Sequence, residues 1–274
     1  MSIEELFCAV DDYCQEHGKP KGRRRQAGLC ESEIITLLVN FHQSGYQTFK
    51  GYYTRAVEKR LCREFPKLVS YSRFLWLAPR VRTTLEGFLS SQQGVCTGVA
   101  LLDSTTLPVC DNHRIARHRV FAGSAQRGKS SMGWFYGFKL HLVVNDKGDL
   151  LRYCGTPGNC DDRQPVPDLL RGLSGKVFAD RGYLSHALTT ALSAQGVQLV
   201  TDKRANRRAP ALDPADKAML RKRFLIETIF DQLKHTFQLD HTRHRSPDHF
   251  RLNLAAALCA YALQPKKPAL RLTA

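Results

Sequence analysis

The chain has no run approaching the roughly 18 consecutive apolar residues that a membrane span requires, and its opening MSIEELFCAVDDYCQEHG has acids but no apolar leader core. Among its nine cysteines no CxxC pair occurs. Scattered and odd in number, the cysteines give no disulfide framework, so the expectation is reduced thiols in the cytoplasm. Low-complexity tracts and internal repeats are also missing, which argues against disorder and against a solenoid. Acids are scarce as well: 25 Asp and Glu face 41 Lys and Arg, leaving a net charge of +16. An excess of that size favours a polyanionic partner, nucleic acid first, over a merely basic soluble protein. With 274 residues, 43% of them hydrophobic, the chain can fill one large core or two modest ones.

The first ~95 residues read as helical by their apolar period. An amphipathic stretch covers 2–17, the cationic loop GKPKGRRRQAG comes next, and Ser32 stands as an N-cap before IITLLVNF. Further helices are expected over 48–62, 71–77 and 79–91. A domain of this kind over 1–95 is either DNA-binding or a helical cap on the neighbouring domain, and the basic loops favour DNA. The texture changes at 98. GVALLD is an unbroken apolar run ending in an acid, and FKLHLVVN alternates and reaches the turn NDKG before LLRYCGT, predicting an antiparallel hairpin. DDRQPVPDLLRGL reads as an Asp-capped helix, KVFADRG as a second strand ending in an acid, SHALTTALSAQG as a helix and VQLVT as a strand. The order implies an α/β domain over 96–265, a mixed sheet with flanking helices in the element order of the ribonuclease H-like fold. A basic tail, 266–274, ends the chain.

Two of these apolar runs end in aspartate, Asp103 and Asp180. Functional groups of open α/β sheets gather at the carboxyl ends of strands, and an acid there is costly unless hydrated, paired or bound to a cation. A third acid is available in RKRFLIETIFDQLKH (221–235). At about 100° per residue from Arg223, Glu227 falls near 40°, Asp231 near 80° and Lys234 near 20°. Leu225, Ile226, Ile229, Phe230, Leu233 and Phe237 lie on the other side. Alone, this polar stripe is an ordinary set of solvated ion pairs. With Asp103 and Asp180 it adds the third carboxylate of an all-oxygen site suited to Mg²⁺, with Mn²⁺ able to substitute.

The Asp103, Asp180, Glu227 order on strand, strand and helix resembles the DDE transposases of bacterial insertion sequences. LLDSTTLPVC and FADRGY are similar to the two Asp contexts of that family, and TPGNCDDRQPVPDLL is similar to its PGN loop. RFLIETIFDQLKH matches its signature of Arg four residues before the Glu and Lys seven after it, with Leu220 where the full signature has Tyr. The short spacing leaves no room for an insertion domain. With QTFKGYY and the closing QPKKP, the compact form looks like insertion-sequence family nine-eighty-two. The resemblance implies metal-dependent cleavage at the element's terminal inverted repeats and joining of the 3′-hydroxyl to target DNA. Asp103 would bridge two metal ions and Asp180 and Glu227 would complete their shells. It also assigns Arg223 and Lys234 to DNA phosphates, double-stranded DNA as partner, a homodimer in synapsis, and a bacterial, nucleoid-associated location. The segment with Lys203, Arg204, Arg207 and Arg208 reads as a DNA-tracking loop because it leads directly to the Glu227 helix. A second basic region, Arg114 to Lys129, reads the same way.

Other features have plainer readings. Asp161 and Asp162 fit helix capping, Cys110, His113 and His118 lack a fourth ligand and a zinc spacing, and Trp134, Phe135 and Tyr136 fit core packing better than base stacking. The rival functions are a metal-dependent nuclease or resolvase on the same fold, and an inactive domesticated copy that only binds DNA.

Overall fold

The computed structural model describes residues 1–17, 28–202, 212–240 and 244–270. Its contacts divide the chain into two compact units, Met1–Gln92 with Gln232–Pro265, and Gln93–Asp231 with Lys266–Ala274.

The first unit is helical: α1 (Ile3–His17), α2 (Glu31–Gln43), α3 (Phe49–Tyr52), α4 (Glu58–Arg60), α5 (Tyr71–Leu77), α6 (Arg82–Ser91) and α11 (Pro247–Ala262). A π turn, Tyr53–Val57, joins α3 to α4. The chain leaves this unit and returns to it, where three consecutive segments were expected from the sequence. The reason is α11, which is buried continuously from Leu254 to Ala262. A helix apolar on every side must be surrounded, and α11 packs on α2 and α6. Ser32 does not cap α2. Cys30 occupies that position, its N–H donating to Glu33 Oε2 at 2.6 Å, while the buried Ser32 hydroxyl donates to Asp11 Oδ1 of α1 at 2.6 Å. Aromatic rings from Phe49, Tyr52, Tyr53, Tyr71 and Phe74 fill the space between α3 and α5.

The second unit holds a six-stranded mixed sheet: β1 (Val99–Cys110), β2 (Gln126–Ser130), β3 (Gly133–Asn145), β4 (Leu150–Pro157), β5 (Gly175–Ala179) and β6 (Val197–Thr201). Around it lie α7 (Val166–Leu169), α8 (His186–Ser193), α9 (Pro214–Arg221) and α10 (Phe224–Asp231). β1 and β3 are antiparallel, β5 and β6 join β1 in parallel, and the β3–β4 hairpin is the expected one. Strand β2 was not foreseen, because QRGKS has no apolar alternation. It shares an edge of β3 with β4, pairing along Gly133–Gly137 while β4 takes Phe138–Val144. Leu102, Val143, Val177 and Ala179 form a core with Val166, Leu169, Leu188 and Leu192, contributed by α7 and α8. The expected helix over 161–173 shrinks to the single turn α7, with Pro165 rather than an aspartate at its N-cap. No helix among the described residues is long and apolar enough to cross a membrane.

Each unit buries a histidine. His42, 2% exposed, donates from Nδ1 to the Phe237 carbonyl at 2.6 Å, and burial holds its pKa down to about 4. His141 on β3, fully buried, touches the Thr156 hydroxyl through Nε2 at 2.9 Å and is likewise held to about 4 by burial. Unfolded, both titrate near 6.5, so between about pH 6.5 and 4 the unfolded chain binds more protons and stability falls as pH falls. Fully expressed, the effect is roughly 3 kcal/mol per histidine. Urea midpoints measured from pH 7 to 4.5 should therefore drop, and in His42→Gln the pH slope should be shallower by about one proton. An unchanged slope in the variant would show that His42 does not carry the linkage.

Candidate active site

The parallel pairing of β1 with β5 ends at Leu102 and Ala179. One residue further on, the two strands part. β1 continues along β3 to Cys110, and β5 gives way to the short turn Arg181–Tyr183. Asp103 and Asp180 are those next residues, side by side where the strands separate. Asp103 is therefore an interior residue of a longer strand and not its last one. Leu102 belongs to the core under α7 and α8, so alternation sends Asp103 to the opposite face, where α10 packs on β1. Leu225, Ile226, Ile229 and Phe230 are the buried side of α10, and this leaves Glu227 61% exposed in its side chain.

Arg223, just before α10, connects the three acids. Its Nη1 donates to Asp103 Oδ2 at 2.8 Å, and its Nη2 lies 3.6 Å from Asp180 Oδ1 and 3.7 Å from Glu227 Oε1. The Arg223 and Asp103 side chains are only 20% and 19% exposed, whereas Asp180 is 56% exposed. Burial pushes the Asp103 carboxyl up to about 6. The Ser104 N–H, donating at 2.8 Å, and the Arg223 charge oppose this rise, and the neighbouring Asp180 and Glu227 add to it. The geometry is thus a desolvated carboxyl flanked by two wetter ones around one guanidinium. Among the described residues no three His, Cys, Asp or Glu side chains are already drawn together as a metal's ligand set. The acids are gathered around the guanidinium instead.

The remaining candidates are placed differently. Lys234 falls in a π turn, Gln232–Thr236, that belongs to the first unit, and its Nζ lies 3.9 Å from Asp240 Oδ1. A constant 100° step does not hold through a π turn, so the stripe drawn from Arg223 to Lys234 loses its phase after Asp231. Lys203, Arg204, Arg207 and Arg208 lie outside the described residues, as does His241. Leu220 is buried in α9, 7% exposed. Neither Asp161 nor Asp162 is the N-cap of α7: Asp161 Oδ1 accepts the Arg163 backbone N–H and Nε, each at 2.9 Å, which closes a local turn, and Lys139 Nζ donates to Asp162 Oδ1 at 3.0 Å. His118 stacks on Phe121 rather than joining Cys110 and His113 around a metal. Phe135 is core, at 7% exposure, but Trp134 is 53% exposed, contrary to the packing expected of it.

A model of the family described as "Transposase DDE domain" matches residues 93–247, more than half of the chain. This chain belongs to that family. The match takes in Asp103, Asp180, Glu227 and Arg223. Among solved structures, the DDE transposase chain is similar to the piggyBac transposase in a synaptic complex with hairpin DNA, at 12% identity and a TM-score of 0.42. That alignment covers 76% of this chain and 49% of the other, so the chain spans about half the length of that relative. It is more distantly similar to a chain of the simian T-cell lymphotropic virus intasome in complex with PP2A regulatory subunit B56 gamma, at 11% identity and a TM-score of 0.26, covering 74% and 64% of the two chains. No curated protein matches the chain.

The ion-pair geometry yields a test. Arg223→Gln leaves Asp103 desolvated without its cation, which should cost roughly 1–3 kcal/mol. Adding Asp103→Asn removes the stranded charge and should recover part of that loss. Urea unfolding of both single variants and the double variant at neutral pH measures the coupling. A coupling near zero would mean the contact stabilises nothing.

Proposed function

We propose that this chain is the transposase of an insertion sequence, of the compact nine-eighty-two type, acting on double-stranded DNA in a bacterial cytoplasm. In this reading it is a polynucleotidyl transferase on a ribonuclease H-like sheet. It cleaves phosphodiesters at the element's terminal inverted repeats and joins the freed 3′-hydroxyl to target DNA. The single observation that carries the reading is the gathering of Asp103, Asp180 and Glu227 around Arg223, in a chain of the DDE transposase family.

DDE transposase domains generally use divalent metals, and the donor set fits one. It offers carboxylate oxygens without a softer ligand, and it includes a desolvated acid whose raised pKa a cation would relieve. Asp103, Asp180 and Glu227 would hold Mg²⁺, or Mn²⁺ in its place. When bound, the metal supplies neutralisation of charge on the attacking and leaving oxygens. Arg223 supplies positive charge among the acids and is placed to hand it to a phosphate of the bound strand. Lys234 and the cations Lys203, Arg204, Arg207 and Arg208 hold further phosphates and set the register of the DNA. In the first step water replaces the 3′-oxygen on phosphorus and leaves a 3′-hydroxyl. In the second, that hydroxyl replaces a 3′-oxygen of the target, so one phosphodiester exchanges for another and no external energy source is needed. Helices α1–α6 are proposed to contribute to DNA binding, and two copies to hold two ends.

Asp103→Asn, Asp180→Asn and Glu227→Gln should each lower cleavage of repeat-bearing DNA by more than about 100-fold, since even outer-sphere partners of a metal are worth about 10–100-fold. Affinity for the same DNA, read by gel shift, should stay within a few-fold. Unchanged cleavage in all three would sink the assignment. Cleavage without joined product would favour a nuclease or resolvase.

A further inference from the structure

A cavity of about 500 Å³ lies in the second unit, between the β2–β3 hairpin and the loop after β4. Arg127, Lys129 and Trp134 form one wall, and Lys139, Asp162 and Arg163 belong to the other. The floor is backbone against backbone. A Cβ on Gly128 would stand 2.1 Å from the Gly158 carbonyl oxygen, and one on Gly158 would stand 2.6 Å from that of Gln126. Two glycines thus let the strand and the loop close up beneath the opening.

The charges sort into two groups. Both acids are already neutralised, Asp161 by Arg163 and Asp162 by Lys139, whose Nζ also donates to the Cys160 carbonyl at 2.9 Å. Arg127 and Lys129 have no carboxylate within ion-pairing distance among the described residues. They flank the indole of Trp134 instead, the Arg127 Cζ 5.1 Å and the Lys129 Nζ 5.8 Å from its ring centroid. The backbone that carries the ring is fixed, because the Asn112 side-chain amide donates to the Trp134 main-chain carbonyl at 2.7 Å and the next residue, Phe135, is buried, yet 53% of Trp134 is exposed. Gly182 also lines the opening, two residues beyond Asp180, so the cavity reaches the turn that follows β5 and Asp180.

A half-exposed indole on a fixed strand, beside two uncommitted cations, matches a ligand with a flat aromatic face and adjacent negative charge. Duplex DNA hides its base faces in the stack and an unpaired nucleotide presents one. We propose that this cavity seats an unpaired nucleotide of the DNA strand being processed, its base stacked on Trp134 and its phosphates held by Arg127 and Lys129. The assignment rests on the transposase reading for the origin of the DNA and on its own geometry for the preference for unpaired bases.

Trp76→Phe leaves Trp134 as the sole tryptophan of the full-length protein and makes its fluorescence a reporter. Duplexes of one sequence are compared with blunt ends and with a five-nucleotide unpaired end, in fixed salt. The unpaired end should quench Trp134 and bind about 10-fold tighter than the blunt duplex, in line with the worth of one stacked base. In the otherwise native chain, Trp134→Ala should erase that preference, with affinity for blunt DNA within about two-fold of the parent, and Trp134→Phe should restore most of it. Arg127→Gln and Lys129→Gln should each lower the salt slope of binding by about one. Equal quenching by blunt and unpaired ends, or equal loss of both affinities in Trp134→Ala, overturns the proposal. Cleavage separates the two readings. Discrimination kept without any repeat-specific cleavage overturns the transposase function alone, and cleavage kept without discrimination overturns the nucleotide seat alone.

Discussion

The arrangement of the second unit turns on one problem of charge, a carboxylate pushed into a sheet. Asp103 lies inside β1 with most of its water removed, and Asp180 and Glu227 stand close enough to make its ionisation harder. One guanidinium answers this, and its reach constrains three elements together. β1 and β5 must part at the residue after Leu102 and Ala179, and α10 must turn its buried side to the sheet so that Arg223 and Glu227 face the gap. Arginine suits the place because its planar fork offers several donors at once and is weakly hydrated, so burying it beside carboxylates costs less than burying an ammonium. The compensation is partial. Asp103 stays displaced toward its neutral form, which leaves the site short of positive charge.

Excess basicity in this chain is therefore of two kinds. Some cations are already used: Arg223 on three acids, Lys139 on Asp162, Arg163 on Asp161 and Lys176 on Asp216. Others, such as Arg127 and Lys129, face outward beside an exposed ring. Only the second kind is free to meet a polyanion without first breaking an internal pair, and on β2 it is positioned by backbone pairing with β3 rather than by a loose tail.

Much was legible beforehand where the signal was local. The hairpin around NDKG, the helix over 186–193, the strand VQLVT and the apolar side of α10 follow from period and turn chemistry, which short stretches carry by themselves. What was misread needed a partner from elsewhere. Ser32 suits an N-cap in isolation, but Asp11 of α1 takes its hydroxyl and the helix begins at Glu31. Asp162 suits a helix start until Lys139 of β3 claims it, while Asp161 closes only a local turn by accepting the Arg163 N–H. Strand β2 has no apolar alternation and exists because β3 offers it an edge.

By itself the sequence determined the class of the second unit and the excess of positive charge, and it singled out Asp103, Asp180 and Glu227 as candidates, because residue type and spacing carry these. Tertiary structure alone decided that Asp103 and Asp180 are neighbours, since adjacency depends on where two parallel strands stop pairing. It also decided that Arg223 lies among the acids, and that Lys234 falls within a π turn of the other unit rather than continuing the same stripe. The exposure of Trp134 was likewise unreadable from its neighbours in the chain. A ring beside a buried Phe135 on an alternating strand must point the other way, and only the fold says whether that way holds protein or open solvent.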